Sequence, residues 1–575
     1  MKKILCCILF LILGSLSFAQ QKSMDINFWE NYFSDKSFAE PTINIQEQTE
    51  IISYYLEHPL NLNQAGKEEM EELGFLTPFQ IASLIDYRKE FGAIISFSEL
   101  NYMYGFDRQS IELLSPLVFL GKKKEISTIR RTNKNVIIRY QQKLQEAKGY
   151  RDTSSSGYLG NPGRVYLRYQ TSKKDVFQYG LTLEKDPGEE LFSSLSNSFD
   201  FISGHIAFYN KGVFNKIVTG DYKINFGQGA VLWTGFSMGK GLNNALIRKS
   251  GKTLAAYSSS NENRFLRGFA TEIRKNKWSS TIFISYKKTD ANLTDSTKQF
   301  FTSLPTDGMH NTLLSLKKKD ALKEFIMGLN AGYQLQNGNI HFNLVYMDYN
   351  ASRITHDKLY KLHSWDGNQM YFSSIDYSFS LKKLLLFGEF ATNKKFNWAF
   401  INGAYFQILP ELSIGILYRN YTVSYSNPWA SSFGENGSAE NEEGLYTGIK
   451  INLLPGLTIN AFTDVFRFPW LKYQMYNPTT GNEEKVQVTY SRKNILKLRL
   501  NYQTKEKETY LREDENSPIC SSYMGKTEKF RLRLQHPVHE LLSMSHEFQF
   551  TQMKEKKEKG VCWPRLPTFN YTNGI

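Results

Sequence analysis

The chain has 575 residues, 70 Lys and Arg against 56 Asp and Glu, a formal net charge of +14, and aromatic side chains at 14% of its positions. After residue 20 no window approaches the roughly 18 uninterrupted apolar residues that a membrane-spanning helix requires, which excludes a helical membrane protein. Two classes are left: a soluble exported protein, or a β-barrel with aromatic girdles and a polar lumen.

Met1, Lys2 and Lys3 give a short basic start, Ile4 to Phe18 form an apolar run, and Ser17-Phe18-Ala19 supplies small residues at a cleavage position. Residues 1–19 therefore read as a signal peptide, with the mature chain starting near Gln20. Cys6 and Cys7 precede any lipobox-like site and are expected to leave with it. Residues 20–46 mix aromatics, acids and Pro41 without a period and read as a leader segment. From Glu47 to Leu120 apolar residues recur at three and four spacing, as in Ile51, Ile52, Tyr55 and Leu56 and again in Ile81, Leu84 and Ile85, which predicts a small all-α module. Its twelve acids outnumber Lys67, Arg88, Lys89 and Arg108, a net of about −8; residues 1–46 are balanced, so 121–575 carry about +22. Residues 121–134 hold Lys122 to Lys124, Arg130, Arg131 and Lys134 and read as a solvated basic linker facing the module or lipid headgroups, with nucleic acid as the alternative partner.

From Asn135 the period becomes two. Leu496, Leu498, Leu500 and Tyr502 alternate with Lys497, Arg499 and Asn501; Phe530, Leu532 and Leu534 alternate with Arg531, Arg533 and Gln535; Leu412, Ile414, Ile416 and Tyr418 alternate with Ser413, Gly415 and Arg419, broken by Leu417. A soluble sandwich would alternate too, so the connections decide. Tight turns are expected around 275–277, 336–338, 381–383, 409–411, 454–456, 491–493 and 535–539, and longer polar connections near 289–322, 351–368, 424–443, 467–484 and 503–527, with a short exception at 392–395. That short-long rhythm belongs to an outer-membrane barrel. It counts about 19 strands, and single-chain bacterial barrels close on even numbers, so residues 135–575 are predicted to form an antiparallel transmembrane β-barrel of about 18 to 20 strands. The tail after Met553 lacks alternation. Cys520 and Cys562 fall on one side of this topology and form a candidate disulfide, with two unpaired thiols as the alternative.

Residues 60–120, from "LNLNQAGKEEMEELGFLTPFQIASLIDYRKEFGAIISFSEL" into "NYMYGFDRQSIELLSPLVF", resemble the tandem helix-hairpin-helix domain of the competence protein ComEA. Asn61-Leu62-Asn63 and Ala65 open the match, Ile85-Asp86-Tyr87-Arg88 closes the first pair, and Phe97 with Glu99-Leu100 bridges to the second hairpin. The resemblance implies DNA binding, in which glycine-flanked hairpins present backbone amides at helix N-termini to phosphates. Here Phe75-Leu76-Thr77 holds the first Gly-x-Gly position and Gly105-Phe106-Asp107 the second, so three of the four glycines are replaced, one by an acid. With an acidic surface besides, the module reads as a repurposed fold that packs against the barrel or an unidentified periplasmic protein.

Further along, "TGDYKINFGQGAVLWTGF", "NENRFLRGFATEI" and "ISYKKTDANL" resemble exported Bacteroidetes proteins that join such a module to a barrel, the matching positions being Gly220, Asp221, Phe226, Gly227, Gln228, Gly229, Arg264 and Arg267. The glycines suit a long loop folded into the lumen or packed at the rim, and Arg264 and Arg267 are placed to pair with Asp221. No HExxH or CxxC occurs, and the Gly-Lys-Thr triplets at Gly251 and Gly525 have Leu246 and Cys520 where a P-loop needs its first glycine. The stretch Gly235-Phe236-Ser237-Met238-Gly239 lacks the strand-turn-helix setting of a nucleophile elbow. His356 and His363 share a loop with Asp357 and Asp366, a pattern that polar loops collect without a metal, and Asp348, Asp376 and Glu389 are scattered one per strand like ordinary lumen residues. The expectation is a non-enzymatic barrel in outer-membrane lipid, without cofactor or metal, carrying the module as a periplasmic docking or plug element. DNA binding or uptake, and a barrel-embedded hydrolase with Ser, His and acid converging on one rim, are the alternatives.

Overall fold

The computed structural model describes residues 51–121 and 132–561, apart from 54, 57–58, 174, 192–197, 236–239, 243–246, 295–297, 356–357, 474, 476, 493–494, 513–519, 540–541 and 558–559. The expected signal peptide, leader segment, most of the basic linker, Ser237, His356, Asp357 and Cys562 lie outside the described residues, as does the side chain of Cys520. The chain divides into two compact units, Met1–Lys124 and Glu125–Ile575.

The smaller unit is built from helices Lys67–Glu72, Pro78–Glu90 and Arg108–Leu114 with a 3-10 turn at Phe97–Tyr102. It is not all-α: Leu60–Asn61 pairs in parallel with Val118–Phe119, a strand pair too short to register as a period of two. Leu62, Met70, Leu73, Leu84, Leu100, Leu114 and Leu117 are completely buried in one core. Around it the polar residues of the motif act as clamps. Asn63 accepts from the amide of Ile94 at 2.8 Å and donates to its carbonyl at 2.9 Å, while the Arg88 guanidinium donates to the carbonyls of Leu62 at 2.9 Å and Ala65 at 2.8 Å. Asn63→Ala removes three long-range bonds, the third to the carbonyl of Gly121 at 3.4 Å, and leaves the Ile94 amide without its acceptor, which is expected to cost about 2 kcal/mol. Faster hydrogen exchange at residues 60–65 and 94–100 in the full chain would register that loss, and unchanged exchange would contradict it.

The larger unit is a closed antiparallel barrel. Its described residues include nineteen strands of 9 to 20 residues, from Asn133–Gln142 round to Leu542–Lys557, and the two-residue strand Gly560–Val561 stands between the last and the first. The expected alternation sorts the two faces. In Leu412–Tyr421 the side chains of Ile416 and Tyr418 are exposed on the outside, whereas Ser413 and Arg419 are buried toward the lumen. The outer wall carries an apolar belt that includes Ile284, Phe342, Ile375, Phe390, Leu445 and Val465.

Three connections differ from expectation. Residues 503–527 are mostly strand: Leu496–Arg512 and Cys520–His539 pair rung by rung out to Arg512 opposite Cys520. A hairpin that continues past the apolar belt into water needs no apolar alternation, and here it is joined by charge pairs such as Lys526 with Glu506 at 3.2 Å. The turn expected at 535–539 lies farther on, because the strand absorbs Pro537 at a register shift between Pro537 and His539. A proline is tolerated at such an irregularity, where its missing donor interrupts no regular rung. Thr479 already begins a strand within the connection expected at 467–484.

Candidate functional site

The strand Phe214–Ile224 does not turn straight back. Residues after it leave the wall and fold inward, and Phe226, Ala230, Val231, Leu232 and Trp233 are at most 3% exposed. A connection buries apolar bulk in this way only where it is surrounded, and its partners are wall residues from strands far apart in the barrel. Glu389, on Leu384–Asn393, accepts from the amides of Gln228 at 2.6 Å and Ala230 at 3.0 Å. A second inward connection, between Tyr421 and Glu442, packs against the first: Tyr425 and Asn427 donate to the carbonyl of Ala230, Ser431 and Gly229 share a backbone bond at 2.9 Å, and Trp429 donates to Glu324 on Leu322–Leu335 at 3.0 Å. Together the two connections occupy the lumen.

The glycines of the motif explain the tight fit. Gly227 and Gly229 adopt φ of 51° and 83°, left-handed values that favour glycine. A Cβ on Gly229 would stand 2.2 Å from the carbonyl oxygen of Ser431, and one on Gly227 would stand 2.7 Å from the Glu389 carboxylate.

Charges fasten the inward connections to the wall. Lys240 is 2.7 Å from Glu435, 2.5 Å from Asp464 and 3.6 Å from Glu483, and lies 4.4 Å from the centre of the Phe466 ring. Arg419 is fully buried and holds Glu442 and Asp464 at 2.7 Å each. Lys505 and Lys507 reach Glu435 from the wall at 2.6 and 3.3 Å. Buried ions of this kind persist because each is paired and hydrogen-bonded.

Other residues singled out in the sequence fall in several places. Asp221 pairs with Arg267 alone of the two arginines, through Nε at 2.6 Å and Nη2 at 2.9 Å. The expected Arg264 pairing is not formed; Arg264 lies 5.8 Å from the centre of the Trp429 ring, against the second inward connection. Gly220 stands opposite Gly268 in the wall. Phe75, Leu76 and Phe106 are buried in the core of the small unit rather than presented to a ligand. Thr77 caps Pro78–Glu90 in a reciprocal bond with Gln80, whose side chain also donates to the carbonyl of Gly105, and Asp107 caps Arg108–Leu114. The caps therefore already engage amides at the helix starts that a phosphate would use. Asp376 accepts from His341 and Asn343, and Asp348 from Asn368. His363 faces Ser424 at 3.5 Å with its ring against Trp470, which is too long for a nucleophile-base bond.

One cluster gave no signal in the sequence, since its members come from three connections: Glu189 and Asp200 precede Phe201–Lys211, Glu262 precedes Leu266–Lys275, and Asp290, His310 and Lys319 precede Leu322–Leu335. His310 directs Nδ1 to Asp200 at 2.6 Å and Nε2 to Asp290 at 2.9 Å, and its amide donates to Glu189 at 2.8 Å. Lys319 closes on Asp200 at 2.5 Å, and Glu262 stands 3.9 Å from the ring. Glu189, Asp200 and His310 bring ligand atoms within 4.8 Å of one another, a spacing that suits a metal ion. The chemistry favours a charge clasp. Burial pulls the His310 ring down, but the hydrogen bonds and charges of Asp200 and Asp290 outweigh it and raise the ring to about 10. An imidazolium donating from both nitrogens has no lone pair for a metal. Burial raises the Glu262 carboxyl to about 9, helped by Asp200 and Glu189, and raises Glu189 to about 7.

The pH dependence follows in sign. A histidine whose folded value exceeds its unfolded one contributes fully below about 6.5 and loses that contribution as pH rises through about 10. The raised Glu189 and Glu262 act the same way, since ionising them while buried costs the folded form progressively above about 4.5. Opening of residues 303–316, followed by hydrogen exchange corrected for intrinsic rate, is expected to increase from pH 6 to pH 10. Constant protection across that range would contradict the clasp.

No protein-family model matches the chain. No curated protein matches it either. Among solved structures, OccAB3 of Acinetobacter baumannii shares 10% identity over 75% of this chain and 94% of that one, with a TM-score of 0.29. OccK8 (OprE) of Pseudomonas aeruginosa shares 10% over 74% and 93%, with a TM-score of 0.27. OmpTdeltaL8, from an outer membrane protein of Vibrio cholerae, shares 7% over 60% and 86%, with a TM-score of 0.23.

Proposed function

We propose that the chain is a non-enzymatic outer-membrane barrel whose lumen is gated by the two inward connections, with the small helical unit as a periplasmic docking element. The observation that carries this reading is the tie of the 225–234 segment to Glu389, which closes a barrel that otherwise has an apolar outside and a charged inside. Long connections at one end and tight turns at the other orient it with the turns in the periplasm. The helix-hairpin-helix likeness belongs to this reading as a scaffold: its recognisable residues, Asn63, Arg88 and Glu99, bind the unit's own backbone and side chains.

Fractionation tests the placement. The protein is expected in the outer-membrane fraction, migrating faster on gels when unboiled, and protease added to intact cells is expected to spare residues 51–121. Recovery in the soluble fraction, or removal of those residues from outside, would overturn it.

A further inference from the structure

The tight-turn end of the barrel is not uniform around its rim. Three neighbouring turns join Gly163–Lys173 to Phe177–Lys185, Phe201–Lys211 to Phe214–Ile224, and Leu266–Lys275 to Trp278–Thr289. Backbone bonds tie each turn to the next, the amide of Tyr209 donating to the carbonyl of Val176 at 3.0 Å and that of Arg274 to Val213 at 3.3 Å. Lys211, Lys275 and Lys277 are exposed there, Lys173 is half-buried, and Asp175 is the acid among the described residues of the three turns. The basic run stops at the next turn, Gln336-Asn337. Beyond Lys382 and Lys383 the turns Pro410-Glu411 and Pro455-Gly456 carry no cation.

The apolar belt runs directly into these three turns. Tyr179, Leu181, Ile206, Phe208, Ile282 and Ile284 are exposed on the outer face of the same strands. Trp278 ends the belt: it is 63% exposed, stands opposite Lys275 in the ladder, and its ring centre lies 4.7 Å from that of Tyr333. Phe214 is exposed as well and stands opposite Lys211. Aromatic rings at the edge of an apolar band, with lysines just beyond it, match the boundary of a bilayer, where rings sit at headgroup level and ammonium groups extend to the phosphates.

Resting on the reading of an outer-membrane barrel with its turns in the periplasm, we propose that this sector binds the headgroups of anionic glycerophospholipids in the inner leaflet. Strands stand about 4.8 Å apart, so successive turns are about 10 Å apart, close enough for their lysines to act together on one patch of headgroups. A soluble acidic protein fits the sector less well, because the rings beside these lysines belong to the lipid-facing belt and leave such a partner the turn tips alone.

The test uses the full chain, purified and reconstituted in phosphatidylcholine vesicles. Electron spin resonance with a chain-labelled phosphatidylglycerol and, separately, a chain-labelled phosphatidylcholine measures the lipid immobilised at the protein surface. At low salt the wild type is expected to favour phosphatidylglycerol about fivefold, a preference that shrinks as salt screens it. In K211Q/K275Q/K277Q the preference is expected to fall close to unity, while K358Q/K394Q/K395Q, which removes three exposed lysines at the opposite end, keeps it. Exposed positions of this kind tolerate substitution, and heat-modifiable migration checks the fold; K275Q/K277Q, expected to leave a preference of about twofold, serves if the first triple variant misfolds. Equal immobilisation of the two lipids by the wild type, an equal loss in both triple variants, or binding of polyglutamate to the detergent-solubilised chain without a lipid preference would overturn the proposal. Equal immobilisation contradicts the headgroup site alone, whereas no immobilised lipid of either kind contradicts the membrane barrel on which it rests.

Discussion

Replacing Glu389 with alanine is expected to release the 225–234 segment and open the lumen. The side chain is 1% exposed and accepts two amides, from Gln228 and Ala230. Without it both amides lose their acceptor inside the barrel, at about 1–3 kcal/mol each. The wall keeps its own ladder, since Leu384–Asn393 is bonded on one side to Gly367–Leu381 and on the other to Trp398–Leu409 through backbone rungs that do not involve the side chain. Amide exchange at residues 226–232 should therefore rise by about two orders of magnitude, while the barrel still migrates as a folded species. Cells carrying the variant should become sensitive to large hydrophilic antibiotics. Glu389→Gln, which keeps one acceptor oxygen, should fall between the two. Unchanged protection at 226–232 in the alanine variant would show that the carboxylate is incidental.

Arg419→Met is expected to have the largest effect on stability. The guanidinium is fully buried and supplies donors to Glu442 and both oxygens of Asp464. Removing one member of such a group leaves carboxylates buried without their cation, a loss of about 3–5 kcal/mol. Asp464 keeps Lys240, but Glu442 keeps little beyond the amide of Glu435. The midpoint of urea unfolding should drop, and the variant R419M/E442Q/D464N should recover much of the loss because the stranded charges are gone as well. Failure of that triple variant to recover would place the cost in packing instead.

Much of the barrel was legible in the sequence because one physical rule governs each strand. In Leu412–Tyr421 Leu412, Ile414, Ile416 and Tyr418 face out and alternate with Ser413, Gly415 and Arg419, while Leu417 and Tyr421 are buried on the inner face. The same rule failed at 503–527, where the strands run on past the apolar belt and both faces are polar. The motif around Gly227 and Gly229 was visible as glycines, and an inward loop was one of the readings they allowed. Its anchor was not visible as an anchor. Glu389 lies 161 residues from Gln228 in sequence, and nothing in its local pattern separates it from Asp376 or Asp348. The His310 clasp was unreadable for the same reason, since Asp200 is 110 residues away on another connection. In the small unit the residues that carried the family likeness turn out to be architectural, which is why a likeness in sequence said more about shape than about ligand.

The most direct test of the gated barrel is electrical. Single-channel recordings in planar bilayers would compare the wild type with a variant in which residues 226–234 are replaced by a short Gly-Ser linker. The wild type should show little steady current and brief openings, and the variant a sustained conductance several times larger. A wild type that conducts steadily at the level of the variant, or a variant as closed as the wild type, would contradict a lumen gated by its inward connections.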